Sequence, residues 1–89
     1  MGEAHQYSVR FGRTAGELVY EDREGTLYFF YDVKPSNEPQ LGQWTVELGA
    51  RPLSRSGSDS APALDWDTVA LERTTAYLVS RGYQVELLR

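Results

Sequence analysis

Leu27-Tyr28-Phe29-Phe30-Tyr31 is an unbroken run of five large apolar residues, and its reading decides the fold. Bounded by Gly25-Thr26 and by Pro35, and rich in aromatics, it reads as a strand. Successive strand side chains point to opposite sides. Leu27, Phe29 and Tyr31 then line one face, while Tyr28 and Phe30 line the other. Large rings stand on both sides, and a short chain has trouble covering both.

Outward from this strand, Glu21-Asp22-Arg23-Glu24-Gly25 marks a chain reversal after Leu18-Val19-Tyr20. A two- or four-residue turn sets Leu18 and Tyr20 on the face of Leu27 and Phe29, and leaves Val19 beside Tyr28 and Phe30. A three-residue turn exchanges the faces. The first register is preferred because it gathers the largest apolar set on one side. Tyr7, Val9 and Phe11 alternate with polar residues as an earlier strand, and Gly12 to Gly16 supplies the turn between them. Pro35, Ser36, Asn37 and Pro39 end the central strand in a loop, and Trp44, Val46 and Leu48 alternate as a fourth strand.

Residues 49–63 are rich in Ser, Gly, Pro and Ala and have little to bury, so they read as a flexible loop. Asp65 is placed as the N-cap of a helix, with Asp67 favoured in its first turn and Leu64 able to pack on Val69. Trp66, Ala70, Leu71, Thr74, Tyr77 and Leu78 fall in one arc at helical spacing, an amphipathic pattern suited to lying on a sheet. Gly82 stands where a C′ glycine ends a helix, with Tyr83 able to close back on Leu78. Tyr83, Val85 and Leu87 alternate as a last strand, whose position in the sheet the sequence leaves open. The expectation is an α+β fold over residues 1–89 as a single domain. Its order is β-β-β-β-α-β, mostly antiparallel, with one amphipathic helix packed on one face.

At 89 residues, such a domain buries roughly 60–65% of its unfolded surface. Cysteine is absent, so there is neither a disulfide framework nor thiolate chemistry. Met1 to Gln6 carries no basic or apolar run typical of a signal peptide, and Gln6 stands where a myristoylation motif wants Ser or Thr. No stretch approaches a membrane helix. A cytoplasmic location is the expectation. The net charge of −4, with Lys34 the only lysine, disfavours general affinity for nucleic acid.

The constellations that could carry chemistry are weak. Asp65-Trp66-Asp67 could suggest a metal or acid/base pair, but neighbours two apart on a helix do not face each other. His5 is the only histidine and lies near the terminus. Gly12 and Gly16 precede a strand and no lysine follows them, unlike a phosphate cradle. The acidic turn at Glu21 to Glu24 reads as a solvated tip, and the serines beside Arg51 and Arg55 as solvated linker. No catalytic residue, cofactor site or metal site is assigned, and no family resemblance is carried by any motif.

Three functional expectations follow. The first is a small non-enzymatic protein-interaction module, self-associating as a homodimer or binding another protein through Val19, Tyr28 and Phe30. The second is a small-ligand binder or enzyme with an aromatic-lined pocket between helix and sheet, formed by Tyr20, Tyr31, Trp44, Trp66 and Tyr77. The third is a single-strand nucleic-acid binder stacking bases on Tyr28 and Phe30 beside Arg10 and Arg13.

Overall fold

The computed structural model describes residues 6–57 and 65–88. The elements in chain order are β1 (Ser8–Phe11), β2 (Glu17–Asp22), β3 (Gly25–Pro35), β4 (Trp44–Gly49), β5 (Ser54–Gly57), α1 (Trp66–Ser80) and β6 (Gln84–Leu88). The fold is α+β. Five strands lie in the order β1-β2-β3-β4-β6, and β5 pairs beside β3 off that path. Every pairing is antiparallel except that of β4 with β6, which is parallel. The last strand therefore sits at a sheet edge.

The hairpin between β2 and β3 has the two-residue form. Asp22 pairs with Gly25 across Arg23-Glu24, which sets Leu18 opposite Phe29, Tyr20 opposite Leu27 and Val19 opposite Tyr28. Directly opposed residues share a face. Leu18, Tyr20, Leu27 and Phe29 are fully buried. They belong to one apolar cluster with Val46, Leu48, Trp66, Ala70 and Leu78. The buried helix positions Trp66, Ala70, Thr74 and Leu78 recur every four residues, as one stripe of a 3.6-residue turn requires. Leu71 and Tyr77, from the same arc, pack half-buried against the cluster.

The sequence reading needs two corrections. Five strands precede the helix rather than four, because part of the stretch read as a flexible loop is ordered. Ser54 to Gly57 pairs with Gly25 to Tyr28. The reason lies in β3, which runs for eleven residues. β4 pairs only with its Tyr31–Pro35 half. The remaining ladder groups on that edge take whatever backbone follows, and main-chain pairing asks little of side chains. Between the two pairings, three steps along β3 (Tyr31 to Tyr28) match six along the other chain (Leu48 to Ser54). The three extra residues leave the ladder as a bulge. Residues 58–63 of the expected loop lie outside the described residues.

The second correction concerns Asp65. It occupies the N-cap position, but its side chain makes no cap hydrogen bond. Leu64, the expected staple, lies outside the described residues. The other end of the helix follows the sequence closely. Tyr83 N–H donates to Leu78 O at 3.1 Å, and Gly82 N–H donates to Val79 O at 3.0 Å. That is a Schellman closure, and Gly82 has the positive φ of 94° it needs.

Candidate functional site

The hairpin register that buries Tyr20 also determines where Asp22 goes. Two residues further along β2, Asp22 shares the inward face with Tyr20, so its carboxylate turns toward the helix. Tyr20 donates its hydroxyl hydrogen to Asp22 Oδ2, and Trp66 Nε1–H donates to the same oxygen at 3.1 Å. The other carboxylate oxygen accepts the backbone N–H of Glu24 at 2.8 Å, tying down the turn. Arg73, two turns along α1 from Trp66, donates to the Tyr20 hydroxyl at 2.8 Å and stands 3.7 Å from Asp22 Oδ2. The same guanidinium lies 4.9 Å from the centre of the Tyr7 ring, which stacks on Tyr20. The Asp22 side chain is only 8% exposed.

This arrangement ties helix to sheet, and its electrostatics do not prepare a reactive oxygen. Burial pushes the Tyr20 hydroxyl up to about 12, with the hydrogen bond to Asp22 acting the same way and Arg73 opposing both. A tyrosine poised as a base would be moved downward. In front of the network lies a cleft of about 490 Å³ edged by Arg23, Glu24, Asp65, Trp66, Val69 and Arg73.

Of the aromatic residues expected to line one pocket, Tyr20 and Trp66 are buried in the core cluster, and Tyr31 and Tyr77 pack half-buried against it. Tyr20 and Trp66 meet through Asp22. Tyr31 packs against Phe11 with ring centres 5.2 Å apart. Trp44 pairs with Pro35 at the far end of the sheet and is half exposed. Tyr77 lies beneath Arg81. The residues the sequence reading missed are Asp22 and Arg73. Asp22 carried a usable signal, a carboxylate two places after an inward tyrosine. Arg73 carried none, because its partner is distant in the chain.

On the other face, Arg10, Val19 and Tyr28 form a row across β1, β2 and β3, and Phe30 follows Tyr28 by two residues. Val19 is only 3% exposed, so it offers little surface to a partner. Tyr28 is half-buried and Phe30 is 40% exposed. The ground around these rings is largely polar, except where Phe30 meets Pro52, Leu53, Leu71, Leu87 and Leu88 along one concave surface. Glu17 stands directly opposite Phe30. Arg10 pairs with Glu21 at 3.5 Å on one flank. On the other, Lys34 lies 3.1 Å from Glu47 and 3.2 Å from Glu86. Hydrogen bonds to Glu47 first, and then to Glu86, hold the Lys34 ammonium above its ordinary range.

Among the described residues no group of His, Cys, Asp and Glu could hold a metal ion, and no helix is long and apolar enough to cross a membrane. Compared with protein-family models, curated proteins and solved structures, the chain matches none of them.

Proposed function

We propose that this chain is a non-enzymatic interaction module that self-associates through the sheet face bearing Tyr28 and Phe30. In this reading α1 is an amphipathic helix packed on the opposite face, so the second face is left for a partner. The observation that carries the proposal is Phe30, a phenylalanine 40% exposed in mid-strand beside half-buried Tyr28. Its surroundings match an interface in miniature, with apolar rings at the centre and a charged rim. Both flanks carry both signs, in Arg10–Glu21 and in Lys34 with Glu47 and Glu86. A copy turned about a two-fold axis therefore meets opposite charges, which suits a self-complementary contact.

The size of the face sets the strength. Five strands about 4.8 Å apart and about 17 Å long give a flat footprint of about 400 Å². A standard stable interface takes about 800 Å² per partner. Side-chain relief narrows that gap without closing it, so the expected dimer is weak. The acids on the face, with Glu17 opposite Phe30, make it a poor platform for nucleic acid.

Sedimentation velocity over the micromolar range tests the proposal. The protein is expected to shift from monomer to dimer with concentration. The double variant Tyr28→Ser with Phe30→Ser is expected to stay folded and monomeric throughout. A wild-type protein that remains monomeric at the highest concentration refutes the proposal. So does a double variant that unfolds, because those rings then belong to the subunit's own core.

A second reading rests on the cleft of about 490 Å³ beside Trp66 and Arg73, which could hold a small polar ligand. Ligand-induced quenching of Trp66 fluorescence, lost in Trp66→Phe, distinguishes it from the first.

A further inference from the structure

The bulge between β4 and β5 opens a second surface, which shares Phe30 with the face proposed for self-association but otherwise uses different residues. A groove of about 880 Å³ runs between this bulge and the first half of α1, past the end of β6. Its apolar lining includes Phe30, Pro52, Leu53, Leu71, Leu87 and Leu88. Leu53 is 65% exposed, and Phe30 and Leu88 also rank among the exposed large apolar side chains. Three such residues converging on one concave site is unlike the scattered surface leucines of an ordinary protein.

The charges of the groove are sorted by wall. The helix wall carries exposed Glu72 and half-buried Asp67 on either side of Leu71, and the opposite wall carries Arg51. Asp67 and Glu72 stand five residues apart, with Thr68 and Leu71 completing the same strip of helix. The bulge backbone is held at its two ends, where Ala50 N–H donates to Leu88 O at 2.9 Å and Leu53 N–H donates to Tyr28 O at 2.6 Å. The groove walls are thus anchored on both sides rather than hanging from a loop.

We infer that this groove docks a short peptide segment of a protein partner that is apolar on one side and basic on the other. Leucine-sized side chains fill the floor between Leu53, Leu71 and Leu88, and arginine or lysine faces the acidic helix wall. Charge complementarity selects this occupant over a second copy of the chain, which is itself acidic at −4. The acidic wall steers a cationic segment and repels an anionic one. The groove shares Phe30 with the self-association face, so Leu53 and Glu72, which lie outside that face, are the positions that test it separately.

Fluorescence anisotropy of the intact 89-residue protein with two labelled peptides tests the inference. One peptide alternates leucine with arginine, and the other alternates leucine with glutamate. The leucine–arginine peptide is expected to bind and to weaken as salt rises, whereas the leucine–glutamate peptide does not bind. Leu53→Ser and Glu72→Lys, both at exposed positions, are each expected to weaken binding by about tenfold. Circular dichroism should show an unchanged fold in both variants. Three outcomes overturn the inference: equal affinity for the two peptides, binding of the basic peptide unaffected by either substitution, or no binding at millimolar peptide. A loss of self-association in Leu53→Ser also overturns it, because the groove then receives a second copy. Sedimentation of the same samples keeps this result separate from the Tyr28/Phe30 proposal.

Discussion

Replacing Asp22 with alanine removes the acceptor at the centre of the helix–sheet network. Tyr20 is fully buried and its hydroxyl gives its hydrogen to Asp22. Leaving a buried donor without an acceptor costs about 1–3 kcal/mol. Arg73 also loses its carboxylate neighbour. Truncating one member of a fully buried ion pair costs about 3–5 kcal/mol. Here the guanidinium side chain is 24% exposed and stands 3.7 Å away, so only part of that applies. The bond from Glu24 N–H is exposed and adds little, because water replaces it. The loss is about 3 kcal/mol in all. For a domain of this size the whole stability is about 4–13 kcal/mol, so the variant forfeits a large share of it. Each kcal/mol lowers Tm by about 4–8 °C in a domain of this length, giving a fall of roughly 12–24 °C. Thermal melts followed by circular dichroism measure it, with Asp22→Asn expected to fall between wild type and Asp22→Ala. A drop of less than about 4 °C in Asp22→Ala would show that water substitutes for the carboxylate, and that the network does not hold the helix.

Three further substitutions test other parts of the structure. Tyr20 ionises near 10 when unfolded and at about 12 when folded. The folded state therefore keeps the proton through a range where the unfolded state releases it, and this stabilisation is complete below pH 10 and disappears as pH rises toward 12. The two-unit difference corresponds to about 3 kcal/mol at most; urea midpoints of wild type should decline over that window more steeply than those of Tyr20→Phe, and parallel slopes would contradict the assignment. Gly42 has φ of +152°, and a Cβ there would lie 2.8 Å from Gly82 O, so Gly42→Ala should lower stability by about 1–3 kcal/mol; an unchanged denaturation midpoint refutes this. The Thr74 hydroxyl is buried with no hydrogen-bond partner among the described residues, so Thr74→Val should raise stability by about 1 kcal/mol, and a lower midpoint would point to a bond that the valine destroys.

How much of this molecule was legible in its sequence depends on the range of the interaction concerned. The β2–β3 register was legible because it follows from a local choice of turn length combined with the demand that Leu18, Tyr20, Leu27 and Phe29 share a side. The C-terminal end of α1 was legible for the same reason, since Gly82 and Tyr83 bond within five residues of Leu78. The strand at Ser54–Gly57 was not, because nothing in Ser-Arg-Ser-Gly favours extension. Its pairing comes from an edge of β3 that β4 leaves uncovered, and that vacancy depends on strand lengths set elsewhere. The Asp22–Arg73 contact was equally hidden. Arg73 falls outside the apolar arc, and only the finished packing shows that its side chain reaches back to Tyr20.

The same distinction governs the sites. Tyr28 and Phe30 could be placed on one face from alternation alone, and in the sheet they stand opposite Val19 and Glu17. Whether that face is apolar enough to need a partner depends on which residues from β1, β2, β4 and β6 stand beside them. Assembly brings Glu17, Glu21, Glu47, Glu86, Arg10 and Lys34 around the rings. What looked from one strand like a second hydrophobic face is an aromatic pair with charges on most sides, open at Phe30 to the groove lined by Leu53, Leu71 and Leu88. A patch of that size favours only a loose contact between subunits. The physical demand for association is thus weaker than the strand alone implied, and the dependence of sedimentation on concentration decides between a working interface and a solvated aromatic pair.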